Sequence, residues 1–277
     1  MGDGKAVTMK TLHTLFTGKT ATQVVLLLFL LLLWEILFRA RLVNAVLFPS
    51  FSSVLAVLRT EYMTLLRRLG VTLLYIGYGL GISIGLAALF TFLAIRSPAC
   101  ASILEMILAM MHPVPSVALL PLLIIWFGIG PLSLVIVIVN SALWPLFLNC
   151  YTGFRTVHQT YLEVGRNIGL KGVRLMASIM LPSALPYLLT GFEISWARSW
   201  RAAIAVELVF GAATTSGGIG WTIYMSYFDI EMELMIAAIL TIALTGVVME
   251  RLVMDQIEKY TVVRWGMVQQ TETLKVG

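Results

Sequence analysis

Six stretches of the chain, 22–40, 71–95, 101–127, 131–150, 184–210 and 234–254, are apolar almost from end to end. The hydrocarbon core of a bilayer is about 30 Å thick and takes about 20 helical residues to cross. No water is available there to bond backbone N–H and C=O groups, so each crossing segment must satisfy them itself, as a helix does. Composition agrees with that reading. Hydrophobic residues make up 59% of the chain and charged residues only 12%, where soluble domains carry about a quarter charged. The fold class implied is an all-α integral membrane protein with about six transmembrane helices, its membrane body covering residues 22–254. No repeat, low-complexity segment or linker divides that body, so one compact helical domain is expected.

Charge sets the orientation. With both termini inside, twelve lysines and arginines fall on the inner side. Five, namely Arg39, Arg41, Arg59, Arg67 and Arg68, fall in the outer 39–69 connection. The inner excess is the bias expected of cytoplasmic segments, and it accounts for the net charge of +5 without invoking nucleic acid. Residues 1–21 and 255–277 are thus read as cytoplasmic tails. Within the outer connection, Phe51, Val54, Leu55, Leu58, Tyr62, Leu65 and Leu66 recur at helical spacing, with Ser50 or Ser52 as a cap. That pattern predicts a helix lying along the membrane surface, its arginines reaching lipid phosphates. Cys100 and Cys150 fall at inner ends of spans, where a disulfide is not expected.

The first apolar run is followed by Trp34, Glu35 and Arg39 rather than by a small-residue cleavage site, and it is read as a retained span. Gly18-Lys19-Thr20 resembles the end of a phosphate-binding loop. The first glycine of such a loop would fall at His13, and no strand precedes it. No other nucleotide site, metal-ligand spacing or hydrolase triad is present, and His13, His112 and His158 stand far apart. The chain is therefore expected to hold no cofactor and to hydrolyse nothing itself.

Between the fourth and fifth spans lies a polar, basic insert, 151–182, on the inner side. Glu163 to Gly165 can form a helical turn, and Gly169 suits the left-handed residue that ends a short helix. A second short helix over about 171–180 would stop at Pro182, which has no N–H to continue it. Arg166, Lys171 and Arg174 would face water.

This insert resembles the "EAA" loop of binding-protein-dependent ABC importer permeases: Glu-Ala-Ala, three residues, Gly, nine residues, Ile-x-Leu-Pro. Glu163, Gly169, Ile179, Leu181 and Pro182 stand at the matching positions, while Val164 and Gly165 replace the two alanines. Further runs are similar to the nitrate, sulfonate, taurine and bicarbonate branch. They include Pro113-Val114-Pro115, Leu120-Pro121-Leu122, Trp126 to Gly130, Leu185 to Gly191, Arg198-Ser199-Trp200 followed by Glu207, Gly218-Ile219-Gly220 and Arg264-Trp265; Glu250 departs from an expected aspartate. The resemblance implies a multi-pass protein of the cell inner membrane with both termini cytoplasmic. It implies as partners a second permease copy, a cytoplasmic ATPase that binds ATP and Mg, an extracytoplasmic solute-binding protein, a small-molecule solute and membrane lipid. Its loop, over 155–182, would be a coupling helix seated on the ATPase, carried here by Glu163, Gly165, Arg166, Gly169, Lys171, Arg174, Leu181 and Pro182.

Glu193, Arg198, Arg201 and Glu207 fall in the fifth span, where charge costs about 2.5–3.5 kcal/mol per residue and must face protein or water. Arg198 and Arg201 are helical neighbours, and Glu207 is expected on a nearby face. Two readings stand: an ion pair of Glu207 with one of the arginines, of the same or the partner chain, or a basic lining of the translocation path. His112-Pro113-Val114-Pro115-Ser116 breaks the third span, since neither proline can donate to the helix ladder. It reads as a packed kink or as a gate of the kind broken helices form, with His112, Pro113, Pro115 and Ser116 on the path. Met106, Met110 and Met111 suit packing or a gate. Gly77, Gly81 and Gly85 mark a helix-packing seam. Gly217 to Gly220 is an outer turn, with or without a role in meeting the binding protein. Two other functions fit less of this: an ATP-independent secondary transporter, for which no inverted repeat is visible, and a membrane anchor for a cytoplasmic enzyme, which leaves the interior charges idle.

Overall fold

The computed structural model describes residues 18–210, 217–258 and 261. The terminal tails beyond them lie outside the description, with Lys5, Lys10, His13, Lys259, Arg264, Trp265 and Lys275. Among the described residues every regular element is helical. Five helices are long and apolar enough to cross a membrane, or six if one bent pair counts as a span. The all-α reading with about six spans is what the structure has.

The described residues gather into two compact units, one holding those up to Met63 with Ser226–Ala237, the other those from Thr64 to Met225 and from Ala238 onward. The divisions fall inside helices, at Met63, Met225 and Ala237, so no linker composition marks them.

In the first unit, α1 (Gly18–Arg39) leads to α2 (Phe51–Thr60). The Trp34 indole N–H donates to the Pro49 carbonyl at 2.9 Å, and its ring packs on Phe48 and Phe51. Glu35 accepts from the Ser52 N–H and hydroxyl and pairs with Arg39 at 2.9 Å. Ser50 is the cap, its hydroxyl oxygen accepting from Ser53 N–H at 3.0 Å. The single surface helix expected over 51–66 is thus two elements. α2 ends at Glu61, and Tyr62, Leu65, Leu66, Arg67 and Arg68 belong to the next helix.

That helix, α3 (Tyr62–Arg96), is 35 residues long. At 1.5 Å per residue it is about 50 Å long and outruns the hydrocarbon core, leaving polar groups at its first turns room beyond the lipid tails. α4 (Pro98–Met111) is capped by Ser97 and begins the third span. After it the chain turns by 90° through His112 to Pro115, then continues as a 3-10 turn (Ser116–Leu119) and α5 (Leu120–Phe127). The prolines leave the ladder unsupported, and only Val114 N–H to Met111 O and Ala118 N–H to Pro115 O bridge the corner.

α6 (Pro131–Arg155) and the fifth span form the main helix pair of the second unit. The fifth span comprises α8 (Gly172–Leu175), a π turn (Met176–Met180) and α9 (Leu181–Phe210); α7 (Gln159–Asn167) precedes it. Here the expectation that a short helix over about 171–180 stops at Pro182 is corrected. Leu181 N–H reaches back five residues to Met176 O, and the widened turn makes room for the proline ring. The helix then runs on unbroken from Gly172 to Phe210.

The close approaches between helices also differ from the expected seam. Around Gly77, Gly81 and Gly85 the space is open. A side chain on Gly79 would instead run into Ile138. On the α6–α9 pair, a Cβ at Gly153 would lie 2.8 Å from Tyr187 and one at Gly191 2.7 Å from Asn149, while Ser195 donates to Ala142 O at 2.9 Å. Small residues let these backbones meet, as small-residue interfaces in membranes do. α10 (Ile219–Phe228), α11 (Met232–Val248), a second π turn (Met249–Met254) and α12 (Asp255–Glu258) complete the order. Both cysteines are free thiols.

Candidate functional site

Two constellations stand out in the second unit. The first is the polar insert. α7 starts at His158, whose Nδ1 accepts from Thr160 N–H, and ends in a Schellman closure. Gly169 N–H donates to Arg166 O and Leu170 N–H to Gly165 O, with Gly169 at φ +85°. Nothing crowds the Gly169 Cα, so the glycine is required by its backbone angle and not by space. Gly165 is the opposite case. It is buried, and a Cβ there would lie 2.6 Å from Leu175 Cδ1 and run into Ile179. The two arms of the insert therefore close on each other through Gly165, Leu175 and Ile179. Glu163, Arg166, Lys171 and Arg174 are exposed, as is Leu181, while Pro182 is half-buried. Among the described residues none of these charges has an ion-pair partner. Ile168 and Val173 are 70% and 80% exposed on the same tip. An apolar tip with a charged rim is an uncovered surface.

The second constellation is a cleft of about 440 Å³ where the broken third span faces α6 and α9. His112, Pro113, Pro115 and Ser116 line it from the break, Ser141 from α6, and Arg198 and Arg201 from α9. Six of the seven residues read from the sequence as path residues thus come together. No carboxylate among the described residues lies within salt-bridge distance of either arginine. Their charge is left to water or to whatever enters the cleft.

Glu207 does not join them. From residue 198 to 207 a helix turns about 900°, which is two and a half turns, so Glu207 leaves α9 on the opposite side. It is 5% exposed and accepts from the Thr72 hydroxyl at 2.9 Å and from Gly220 N–H at 2.8 Å. Thr72 in turn accepts from Ile219 N–H at 2.9 Å. Arg68 donates to Gly217 O at 2.9 Å and its guanidinium lies 4.3 Å over the Trp221 ring. A Cβ at Gly218 would run into both the Glu207 carboxylate and the Thr72 hydroxyl, and one at Gly220 would lie 2.8 Å from Ile204 O. Among the described residues Glu207 neither pairs with an arginine of its own chain nor reaches the cleft; it fastens the glycine turn to α3 and α9. Arg68 and Thr72 were not singled out for this. The one signal was the glycine run itself, which announces a close approach without naming what approaches.

Asn140, also missed, stands behind the break. Its Nδ2 lies 3.2 Å from Ser116 Oγ and its Oδ1 accepts from the Trp144 indole at 3.0 Å.

Residues 77–254 match the family profile described as binding-protein-dependent transport system inner membrane component. The chain belongs to that family. Both constellations fall within the matched span, whereas Arg68 and Thr72 precede it. The taurine transport system permease protein of Escherichia coli is 30% identical over 174 residues, 63% of this chain and 58% of the relative. The putative aliphatic sulfonates transport permease protein of Bacillus subtilis is 30% identical over 171 residues, 62% and 58% of the two chains. The nitrate import permease protein of Leptolyngbya laminosa is 30% identical over 177 residues, 64% and 58%. This family member thus spans little more than half the length of the curated relatives it matches.

Proposed function

We propose that this chain is the membrane-spanning permease subunit of an ATP-driven importer and that its cleft is part of the path of a small anion. One observation carries the reading. Arg198 and Arg201 line a cleft at the broken third span with no carboxylate partner among the described residues. Unpaired cations at membrane depth are costly unless water or a counter-ion meets them. Family membership and the solutes named for the relatives, taurine, sulfonates and nitrate, support the class of solute.

ATP hydrolysis falls to a separate cytoplasmic subunit that binds ATP and Mg. The exposed tip of Glu163 to Pro182 docks on it, the apolar Ile168 and Val173 seated in a groove and Arg166, Lys171 and Arg174 meeting acidic groups around it. A second permease copy and an extracytoplasmic solute-binding protein complete the assembly. Both termini are cytoplasmic, which puts the insert on the side where ATP is.

The deciding experiment is uptake of radiolabelled taurine, ethanesulfonate and nitrate in cells whose own copy has been replaced by Arg198→Ala or Arg201→Ala. Loss of uptake at unchanged membrane abundance is expected. Wild-type rates in both variants would remove the cleft from the path. Uptake that persists after ATP is depleted at constant membrane potential would favour a secondary transporter instead.

A further inference from the structure

An indole N–H can only donate a hydrogen bond, so the Asn140 atom 3.0 Å from Trp144 Nε1 must be the amide oxygen. That fixes the flip of the amide. The other end, 3.2 Å from Ser116 Oγ, is the NH2 group, which can only donate. Ser116 Oγ is therefore the acceptor in this contact, and its own proton has to be given elsewhere. Among the described residues Ser116 Oγ has no other hydrogen-bond partner, and Ser116 lines the cleft with Arg198 and Arg201. Asn140 and Trp144 are four residues apart on α6, so one rigid helix holds the relay on the same side.

We propose that Asn140 is a positioning residue that turns the Ser116 hydroxyl into the cleft as a donor, a third donor beside the two guanidinium groups for the oxyanion end of the solute. The proposal rests on the reading of the cleft as the solute's path. Its chemistry narrows that reading. A solute group rich in acceptors and without protons to give, such as a sulfonate or nitrate, is held by all three; an ammonium group meets two cations and a hydroxyl oxygen with one lone pair left to accept. The break makes this possible, because a serine inside an unbroken helix commonly gives its proton back to the carbonyl one turn earlier.

The test uses the full chain in its own transporter, in cells lacking the native copy, with radiolabelled taurine, ethanesulfonate and nitrate as probes at subsaturating concentration. Ser116→Ala and Asn140→Ala are each expected to slow uptake by about ten- to a hundredfold, the worth of a hydrogen bond to a charged group. Ser116→Thr, which keeps the hydroxyl, restores it. Because Asn140 acts through Ser116, the double variant is no slower than Ser116→Ala alone. A merely structural role for Asn140 would instead add its full loss in the Ser116→Ala background and lower membrane abundance. Wild-type uptake by Ser116→Ala overturns the proposal, and so does additivity in the double variant. Arg198→Ala and Arg201→Ala run alongside. If they also transport normally the cleft reading itself falls; if they fail while Ser116→Ala does not, only the positioning role falls. A wild-type transporter that takes up none of the three probes overturns the oxyanion assignment, and the proposal with it.

Discussion

The Thr72 hydroxyl lies 2.9 and 3.0 Å from the two carboxylate oxygens of Glu207, on a helix 135 residues further along the chain. The same oxygen receives Ile219 N–H, so one threonine links α3, α9 and the start of α10. Thr72→Val keeps the shape, strands the Ile219 N–H and removes a donor from a buried carboxylate. A loss of about 1–3 kcal/mol is expected, read as a lower unfolding midpoint of the purified chain. An unchanged midpoint would mean that the clasp contributes nothing.

Gly218→Ala tests the same clasp from the other side. Its Cβ has no space between Glu207 and Thr72. The midpoint should fall further than in Thr72→Val, and Gly218→Ala combined with Thr72→Ser should not recover it, since the carboxylate still blocks the methyl.

Gly169 holds φ +85° at the end of α7. A residue with a Cβ pays about 1–2 kcal/mol in that region, with asparagine least affected. On the docking proposal, Gly169→Asp inserts and assembles normally yet hydrolyses ATP without moving solute, whereas Gly169→Asn stays coupled. The ratio of solute imported to ATP consumed in proteoliposomes checks it. Normal coupling in Gly169→Asp would remove the insert from the docking role.

The two arms of the insert meet at Gly165, so Gly165→Val should push Leu175 and Ile179 apart at a cost of about 1–3 kcal/mol. Ile179→Ala makes room on the facing arm. The double variant should regain part of the coupling that Gly165→Val loses, an outcome that a lipid-facing loop with no internal packing would not produce.

Two kinds of glycine are separable in the spans. Gly191→Val drives a side chain into Asn149 of α6 and should destabilise the isolated chain by about 1–3 kcal/mol. Gly81→Ala meets nothing and should leave it unchanged or stabilise it by about 0.5–1 kcal/mol. Thermal unfolding of the two variants gives the comparison. If Gly81→Ala weakens the assembled transporter while sparing the single chain, that face is where another helix arrives.

Much of this was legible in the residues, and for a common reason. The spans announce themselves because lipid forbids polar backbone, the Pro113 and Pro115 break because proline has no N–H, and the Gly169 closure because only glycine tolerates that angle without strain. Each depends on a residue and its immediate neighbours. Pro182 failed the same logic. Its missing N–H is real, but the π turn over Met176–Met180 absorbs the ring, and the choice between stopping and widening belongs to the packing of the whole fifth span. The glycine stripe meets no described helix of this chain, because spacing shows that three residues share a face but not which helix lies against it.

What the chain alone determined is its medium, its helical class and the break in the third span. Tertiary structure decided the remainder: that Glu207 clasps Thr72 and Gly220 rather than an arginine, that Gly165 is the hinge contact of the insert, and that Asn140 stands behind Ser116. A backbone angle or a transfer free energy is a property of one residue in one medium. A hydrogen bond between residues 72 and 207 exists only after two helices have found their register, and no local pattern records that distance.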